Sequence, residues 1–280
     1  MGYAPAVAQH LPSPQAPAEA AMLPSDDLIA LAHRLADRAG EVVRPLFRAG
    51  LTAEDKADGS QVTRADRAVE EAIRALLAEA APDHGVLGEE LGARGAGAEL
   101  VWIVDPIDGT RAFLTGKPLF TTLIALAHRG RPVLGVIVQP ITGDRWVGAA
   151  GRPTRFGSPG SPVSTRACAS LAEARLSSTG PQYFSAAELR AFERVAARVS
   201  FTSWGGDGYQ YGLVASGSVD LVIESGLKVH DWSALVPIVA GAGGVITDWQ
   251  GRPPGTGDAG DIVAAGDARC HAEALALLGG

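Results

Sequence analysis

The stretch Leu100-Val101-Trp102-Ile103-Val104-Asp105-Pro106-Ile107-Asp108-Gly109-Thr110 limits the fold of this chain more than any other. Its five leading apolar residues read as a strand buried on both faces, which belongs inside a layered fold. That strand runs straight into two carboxylates, Asp105 and Asp108. Pro106 removes a ladder donor and holds its predecessor extended, so the strand is expected to end there. Gly109 permits a tight turn. Both carboxylates then converge beyond the strand end, where α/β folds commonly place ligands. Two anions held together repel unless a proton or a cation lies between them. Hard oxygen donors select Mg²⁺, Mn²⁺ or Ca²⁺. The N–H groups of Gly109 and Thr110, at the start of a short helix, suit a phosphate. Asp-Pro and Asp-Gly are also ordinary turn dipeptides. It is the whole seven-residue word 104–110 at the end of an apolar strand that argues for a site over a turn.

Around this word the chain alternates between helical and strand patterns. Apolar residues from Asp26 to Phe47 and from 65 to 80 fall at helical spacing, and Thr63 and Asp66 make a capping pattern before the second run. Strands are expected at 119–127 and 132–139, joined by the turn 128–131, and again at 144–150. The stretch 151–165 is Gly-, Pro- and Ser-rich and reads as a loop. Strands follow at 174–178, 200–203, 219–224, 244–248 and 261–265, with helices at 186–199, 208–216 and 231–242, the last containing Pro237. The reading is α/β, with an N-terminal half over 25–155 and a C-terminal half over 156–280. Residues 1–24, rich in Ala and Pro, read as a disordered tail. Met22 is a candidate translation start, because the first periodic segment begins just after it.

Composition excludes several function classes. The 280 residues carry 31 Asp and Glu against 24 Lys and Arg, a net charge of −7. No basic run offers a footprint for nucleic acid. No apolar run approaches the ~18 residues that span a bilayer. Cys168 and Cys270, the only cysteines, rule out a disulfide scaffold and fit a reducing compartment, so a cytoplasmic location is expected. If so acidic a chain handles an acidic ligand, something cationic must sit between them.

Other words are individually weaker. Glu89 and Glu90 follow a short strand-like Val-Leu-Gly, so at most one of them faces the site; a solvated acidic loop is the alternative. Asp231 either serves the site or caps the helix after it. Asp58 lies in an Asp-Gly pair that reads equally as a turn. Gly241-Ala242-Gly243-Gly244 follows a helix and precedes a strand, the reverse of a dinucleotide fingerprint. No cysteine has zinc spacing, and Ser177 and Ser178 lack a nucleophile elbow.

Leu87-Gly88-Glu89-Glu90, the word 104–110 and His230-Asp231-Trp232-Ser233-Ala234, in this order, resemble the inositol monophosphatase family of Mg²⁺-dependent phosphomonoesterases. Asp58-Gly59-Ser60-Gln61-Val62-Thr63, Asp108–Phe113, Gly205–Gly212 and Gly226–Val239 look like its histidinol-phosphate phosphatase branch. One departure stands out: many members have Trp-Asp where this chain has His230-Asp231. Because His230 is only adjacent to the ligand, the change leaves the metal ligand in place and bears on substrate choice.

The resemblance implies a layered αβαβα sandwich of the sugar-phosphatase type and a homodimer. It implies that Glu89, Asp105 and the Ile107 carbonyl hold one metal, and that Asp105, Asp108 and Asp231 hold a second. Two or three Mg²⁺ per site are expected, with Mn²⁺ possible. Thr110, bonded to Asp58, would help Glu89 orient and deprotonate the attacking water. Phosphate would rest by Asp108 and on the Gly109 and Thr110 amides. Glu224 would contact the organic part of a small phosphorylated metabolite, and Asp207 either joins it or caps the helix from Gly208. Two acidic walls suit the cationic L-histidinol phosphate of histidine biosynthesis better than neutral inositol. The alternatives are an inositol monophosphatase, a broad-specificity sugar or nucleotide phosphatase, and a non-catalytic regulator that keeps the fold.

Overall fold

A computed structural model describes residues 22–50, 52–55, 61–255 and 260–279. The chain opens with α1 (Asp26–Val43), whose N-terminus Ser25 caps by accepting from the Leu28 amide, and whose apolar face is Leu31, Leu35, Ala39 and Val43. Strands β1 (Glu54–Asp55) and β2 (Gln61–Val62) pair antiparallel. Next comes α2 (Arg64–Ala80), started by the Thr63–Asp66 capping box that its sequence pattern suggests.

The first sheet contains β3 (Gly85–Gly88), β4 (Gly92–Arg94), β5 (Leu100–Asp108), β6 (Thr121–His128), β7 (Arg131–Val138), β8 (Arg145–Ala149), β9 (Arg155–Gly157) and β10 (Gly160–Pro162). The five-residue α3 (Thr110–Leu114) connects β5 to β6. Strand order is β10-β9-β8-β7-β6-β5-β3-β4, antiparallel throughout except for the parallel pair β3 and β5. The β6–β7 turn holds Arg129 and Gly130 at φ 48° and 78°, the hand that matches strand twist in a two-residue hairpin.

The second half holds β11 (Arg175–Ser178), α4 (Ala186–Ala196), β12 (Phe201–Trp204), α5 (Tyr209–Ala215), β13 (Leu221–Glu224), α6 (Val229–Trp232), α7 (Leu235–Gly241), β14 (Val245–Thr247), β15 (Ile262–Ala265) and α8 (Ala268–Leu278). Its five strands run β12-β11-β13-β15-β14.

Five layers result. Helices α1 and α2 cover one face of the first sheet, and α5, α6 and α7 fill the space between the sheets. Helices α4 and α8 cover the far face of the second sheet. The molecule is an αβαβα sandwich.

Three local expectations need correcting. The strand at 100–104 does not stop before Pro106; β5 runs to Asp108 because a bulge absorbs the proline. Residues 151–165 are not all loop, since 155–162 form the β9–β10 hairpin at the edge of the first sheet. The helix at 231–242 is two helices. Pro237, lacking an N–H, sits in the first turn of α7, the one place a helix tolerates it. Met22 packs on the first core, and the Pro24 carbonyl accepts from Arg152 at 3.3 Å. Residues 1–21 of the Ala/Pro-rich segment lie outside the described residues.

Candidate active site

The site is built where β5 changes register. Asp105 pairs with Leu123 and Asp108 with Thr121, so three steps along β5 match two along β6. In an unbroken strand, residues three apart face opposite sides; the extra residue brings both carboxylates to one side. The Ile107 amide donates to Asp105 Oδ1 at 3.1 Å, and the Thr122 hydroxyl ties down the Pro106 carbonyl at 2.7 Å. Asp108 Oδ2 accepts from the Thr121 hydroxyl at 3.0 Å and from the Gly208 amide at 2.5 Å. Strand β3 runs parallel beside β5 with Gly88 level with Val104, so Glu89 emerges next to Asp105 at the strands' carboxyl ends. Gly109 has φ 82°, and a Cβ there would come within 2.8 Å of Asp207 Oδ2, so this turn requires glycine. Thr110 opens α3 and its hydroxyl donates to the Ile107 carbonyl at 3.2 Å.

The second half supplies the opposite wall. Asp231 lies within α6, where Oδ2 accepts from the Lys228 amide at 2.6 Å. Glu224 ends β13; Oε1 accepts from the Thr179 amide at 3.1 Å and from its hydroxyl, and Oε2 from Tyr211 Oη at 2.9 Å. Asp207 has φ 44° and does not cap α5: the cap residue is Gly208, with no side-chain bond. Glu89, Asp105, Ile107, Asp108, Gly109, Thr110, Asp207, Glu224 and Asp231 all line one cavity of about 620 Å³. Asp58, and with it the expected Thr110–Asp58 bond, lies outside the described residues.

Electrostatically this cavity is under-neutralised. Burial, then the charges of Glu89, Asp108 and Asp231, hold the Asp105 carboxyl well above the usual range. Burial, then Asp207 and Asp231, does the same to Asp108. Burial followed by Asp231 pushes Asp207 up to about 6. Burial, with Asp207 beside it, takes Glu224 to about 7 against the hydrogen bonds from Thr179 and Tyr211. Asp105 and Asp231 bring carboxylate oxygens within 4.8 Å of each other, an approach of two anions that a proton or a cation between them relieves. Two sets of side chains each bring their ligand atoms within 4.8 Å of one another: Asp105, Asp108 and Asp231, and Glu89, Asp105 and His230. This all-oxygen set plus one nitrogen fits one or two divalent cations.

Some residues here escaped the sequence reading. Glu70 on α2 is fully buried; it accepts from the Glu90 and Leu91 amides at 2.8 and 3.2 Å and from Arg74 Nε at 2.8 Å. Arg74 also reaches the Gly92 carbonyl. A Cβ at Gly88 would collide with the Glu70 carboxylate, so a bare backbone lets helix and loop meet. The signal was present: Glu70 sits in the stripe Asp66, Val69, Ile73, Leu77 that α2 buries, with Arg74 one turn on. His230, read as only adjacent to a ligand, proves to face the same carboxylates.

Residues 25–279 match the sequence profile described as the inositol monophosphatase family. The chain belongs to this family. Among its relatives is the bifunctional phosphatase IMPL2 (chloroplastic) of Arabidopsis thaliana, 45% identical over 95% of this chain and 79% of that protein. A histidinol-phosphatase of Mycobacterium tuberculosis is 40% identical over 79% of this chain and 87% of its own length. An inositol monophosphatase from Zymomonas mobilis superposes with a TM-score of 0.82 at 47% identity, covering 91% of this chain and 98% of that one. As a member of the inositol monophosphatase family the protein is a phosphatase, of a metal-dependent kind that acts on small phosphorylated substrates. Among the described residues, no helix is long and apolar enough to cross a membrane.

Proposed function

We propose that this chain is a Mg²⁺-dependent phosphomonoesterase whose substrate is L-histidinol phosphate. The observation that carries this is the surplus of acid in the cavity. Beyond the cluster Glu89, Asp105, Asp108 and Asp231, two further carboxyls, Asp207 and Glu224, line the same space. Glu224 is anchored by Thr179 and Tyr211, neutral donors that leave its negative charge for a ligand. A substrate with an ammonium and an imidazole on its alcohol side matches that wall; a neutral polyol does not use it. The likeness to a protein named histidinol-phosphatase supports the same reading.

In this mechanism Glu89, Asp105, the Ile107 carbonyl, Asp108 and Asp231 hold the cations. Bound divalent ions supply positive charge for the phosphate and for the developing alkoxide. Glu89, with Thr110 and Asp58, orients the attacking water and takes its proton. Asp108 stands beside the phosphate, and the Gly109 and Thr110 amides donate to its oxygens. Asp207 and Glu224 orient the cationic leaving group. A non-catalytic role is disfavoured because the four acidic ligands are all present in one cavity.

A second reading, hydrolysis of inositol 1-phosphate, is favoured by the likeness to the Zymomonas protein. Phosphate release from both substrates, with and without Mg²⁺, decides. We expect kcat/KM to favour histidinol phosphate by at least about tenfold, the scale of one charged contact, and that preference to shrink in Asp207→Ala and Glu224→Gln. A preference for inositol 1-phosphate, or a ratio untouched by both substitutions, overturns the assignment.

A further inference from the structure

His230 is nearly fully buried, with 2% of its side chain exposed, yet its ring is not used as a core histidine would be. Nδ1 has no hydrogen-bond partner among the described residues. Nε2 lies 3.4 Å from Asp231 Oδ1 and 3.9 Å from Glu89 Oε1. Both separations are too long for a good N–H···O bond. They fall between the spacings of adjacent and opposite ligands around one cation: at about 2.1 Å in octahedral geometry these are roughly 3.0 and 4.2 Å. The ring also completes, with Glu89 and Asp105, a set whose ligand atoms fall within 4.8 Å of one another.

From this juxtaposition we propose that His230 Nε2 is a direct ligand of the cation held by Glu89 and Asp105, and that it biases the site toward Mn²⁺ over Mg²⁺. Mg²⁺ binds through oxygen and keeps its waters, whereas a transition-metal ion gains from an imidazole nitrogen. The inference rests on the carboxylate cluster being a cation site, as proposed above. It also revises what the His-Asp departure means: the histidine alters the metal first, and the substrate only through it. Backbone placement explains how one residue can do this. In α6, a four-residue turn, His230 and Asp231 are successive, about 100° apart around the axis, and the ring and the carboxylate reach the cluster from neighbouring directions.

The test uses the full chain stripped of metal and titrated with Mn²⁺. Pulsed electron paramagnetic resonance on the wild type is expected to give the ¹⁴N coupling of a coordinated imidazole. That coupling should vanish in Asp105→Asn, which separates His230 from the chain's other histidines. In His230→Phe the Kd for Mn²⁺ is expected to rise about tenfold or more, with the Kd for Mg²⁺ moving less than about threefold. Tight Mn²⁺ binding to the wild type without ¹⁴N coupling overturns the ligand role while leaving the cation site standing. Failure of the wild type to bind Mn²⁺ or Mg²⁺ at all overturns both. Should His230→Phe not fold, the wild-type spectrum alone still decides.

Discussion

Two buried carboxylates, Asp220 and Asp105, are equally hidden at 1% and 2% exposure, and they are treated in opposite ways. Asp220 receives Arg166 through both Nε and Nη2 at 2.8 and 2.6 Å, and the Arg175 amide at 2.9 Å. Glu70 is handled similarly by Arg74 and two amides. These carboxylates brace a loop or a strand end, and their charge is matched inside the fold. Asp105 is surrounded by Glu89, Asp108 and Asp231, which raise its pKa rather than lower it. A fold seeking only stability has no use for that arrangement, since each unpaired buried charge costs several kcal/mol. The second kind of burial therefore belongs to a site that an added cation completes.

The largest expected effects come from removing one member of each class. Asp105→Asn should lower kcat/KM by about 10³-fold, the scale of losing one charge-stabilising group. In the metal-free protein the same change should raise Tm by a few degrees, because about 1 kcal/mol of relieved repulsion corresponds to roughly 2–4 °C at this size. Asp220→Ala should do the reverse. It should cost about 3 kcal/mol in urea unfolding, the low end because Arg166 is 34% exposed, with kcat/KM of the folded fraction unchanged. Destabilisation by both substitutions in metal-free protein would erase the contrast.

Glu224 sharpens the comparison, since it has good hydrogen bonds and still lies in the acidic cavity. Its folded-state pKa is about 7, above the ordinary 4.5, so folding favours its protonated form. The stabilisation is complete below pH 4.5 and is lost as pH rises through 7. The loss amounts to about 3 kcal/mol at most. Without metal, wild type minus Glu224→Gln should therefore change in unfolding free energy across pH 4.5–8, in the direction of a less stable wild type at high pH. A difference that stays flat over that range would assign the site's pH response to other groups.

What the chain disclosed as a linear text follows from locality. Asp105, Asp108, Gly109 and Thr110 are neighbours in sequence, so their meeting at the end of one apolar strand is readable from the word itself, with Gly109 marking the turn. The helix faces of α1 and α2 are readable because each buries one stripe against one sheet. The β5 bulge was not, because only pairing with β6 shows that three residues match two. The orientation of Asp207 depends on a positive φ at a non-glycine residue and on the missing Cβ of Gly109, a contact between the two halves. His230 was misjudged for a related reason: sequence adjacency to Asp231 says nothing about which wall a ring faces. The β9–β10 hairpin lacks apolar alternation; it is held by pairing with β8 and by the Phe156 ring, 4.9 Å from that of Trp146.

The smallest effect concerns a third kind of carboxylate, one satisfied entirely by neutral groups near the surface. Glu188 accepts from the Ser185 amide at 2.6 Å in the capping box of α4, while its other oxygen accepts from the Ser225 hydroxyl at 2.6 Å. Ser185 Oγ in turn accepts from the Glu188 amide at 3.3 Å. Ser185→Ala removes that last bond and leaves the carboxylate in place, so the loss should be about 1 kcal/mol, ordinary for an N-cap. Because Ser225 follows Glu224 directly, a second variant, Ser225→Ala, removes the Glu188–Ser225 bond and asks whether the acidic wall leans on the outer helix layer. Unchanged KM for histidinol phosphate is expected, with β13 and Tyr211 holding Glu224 on their own. A raised KM at full kcat would mean that the wall is set from α4, and that the line between bracing carboxylates and site carboxylates runs through Ser225.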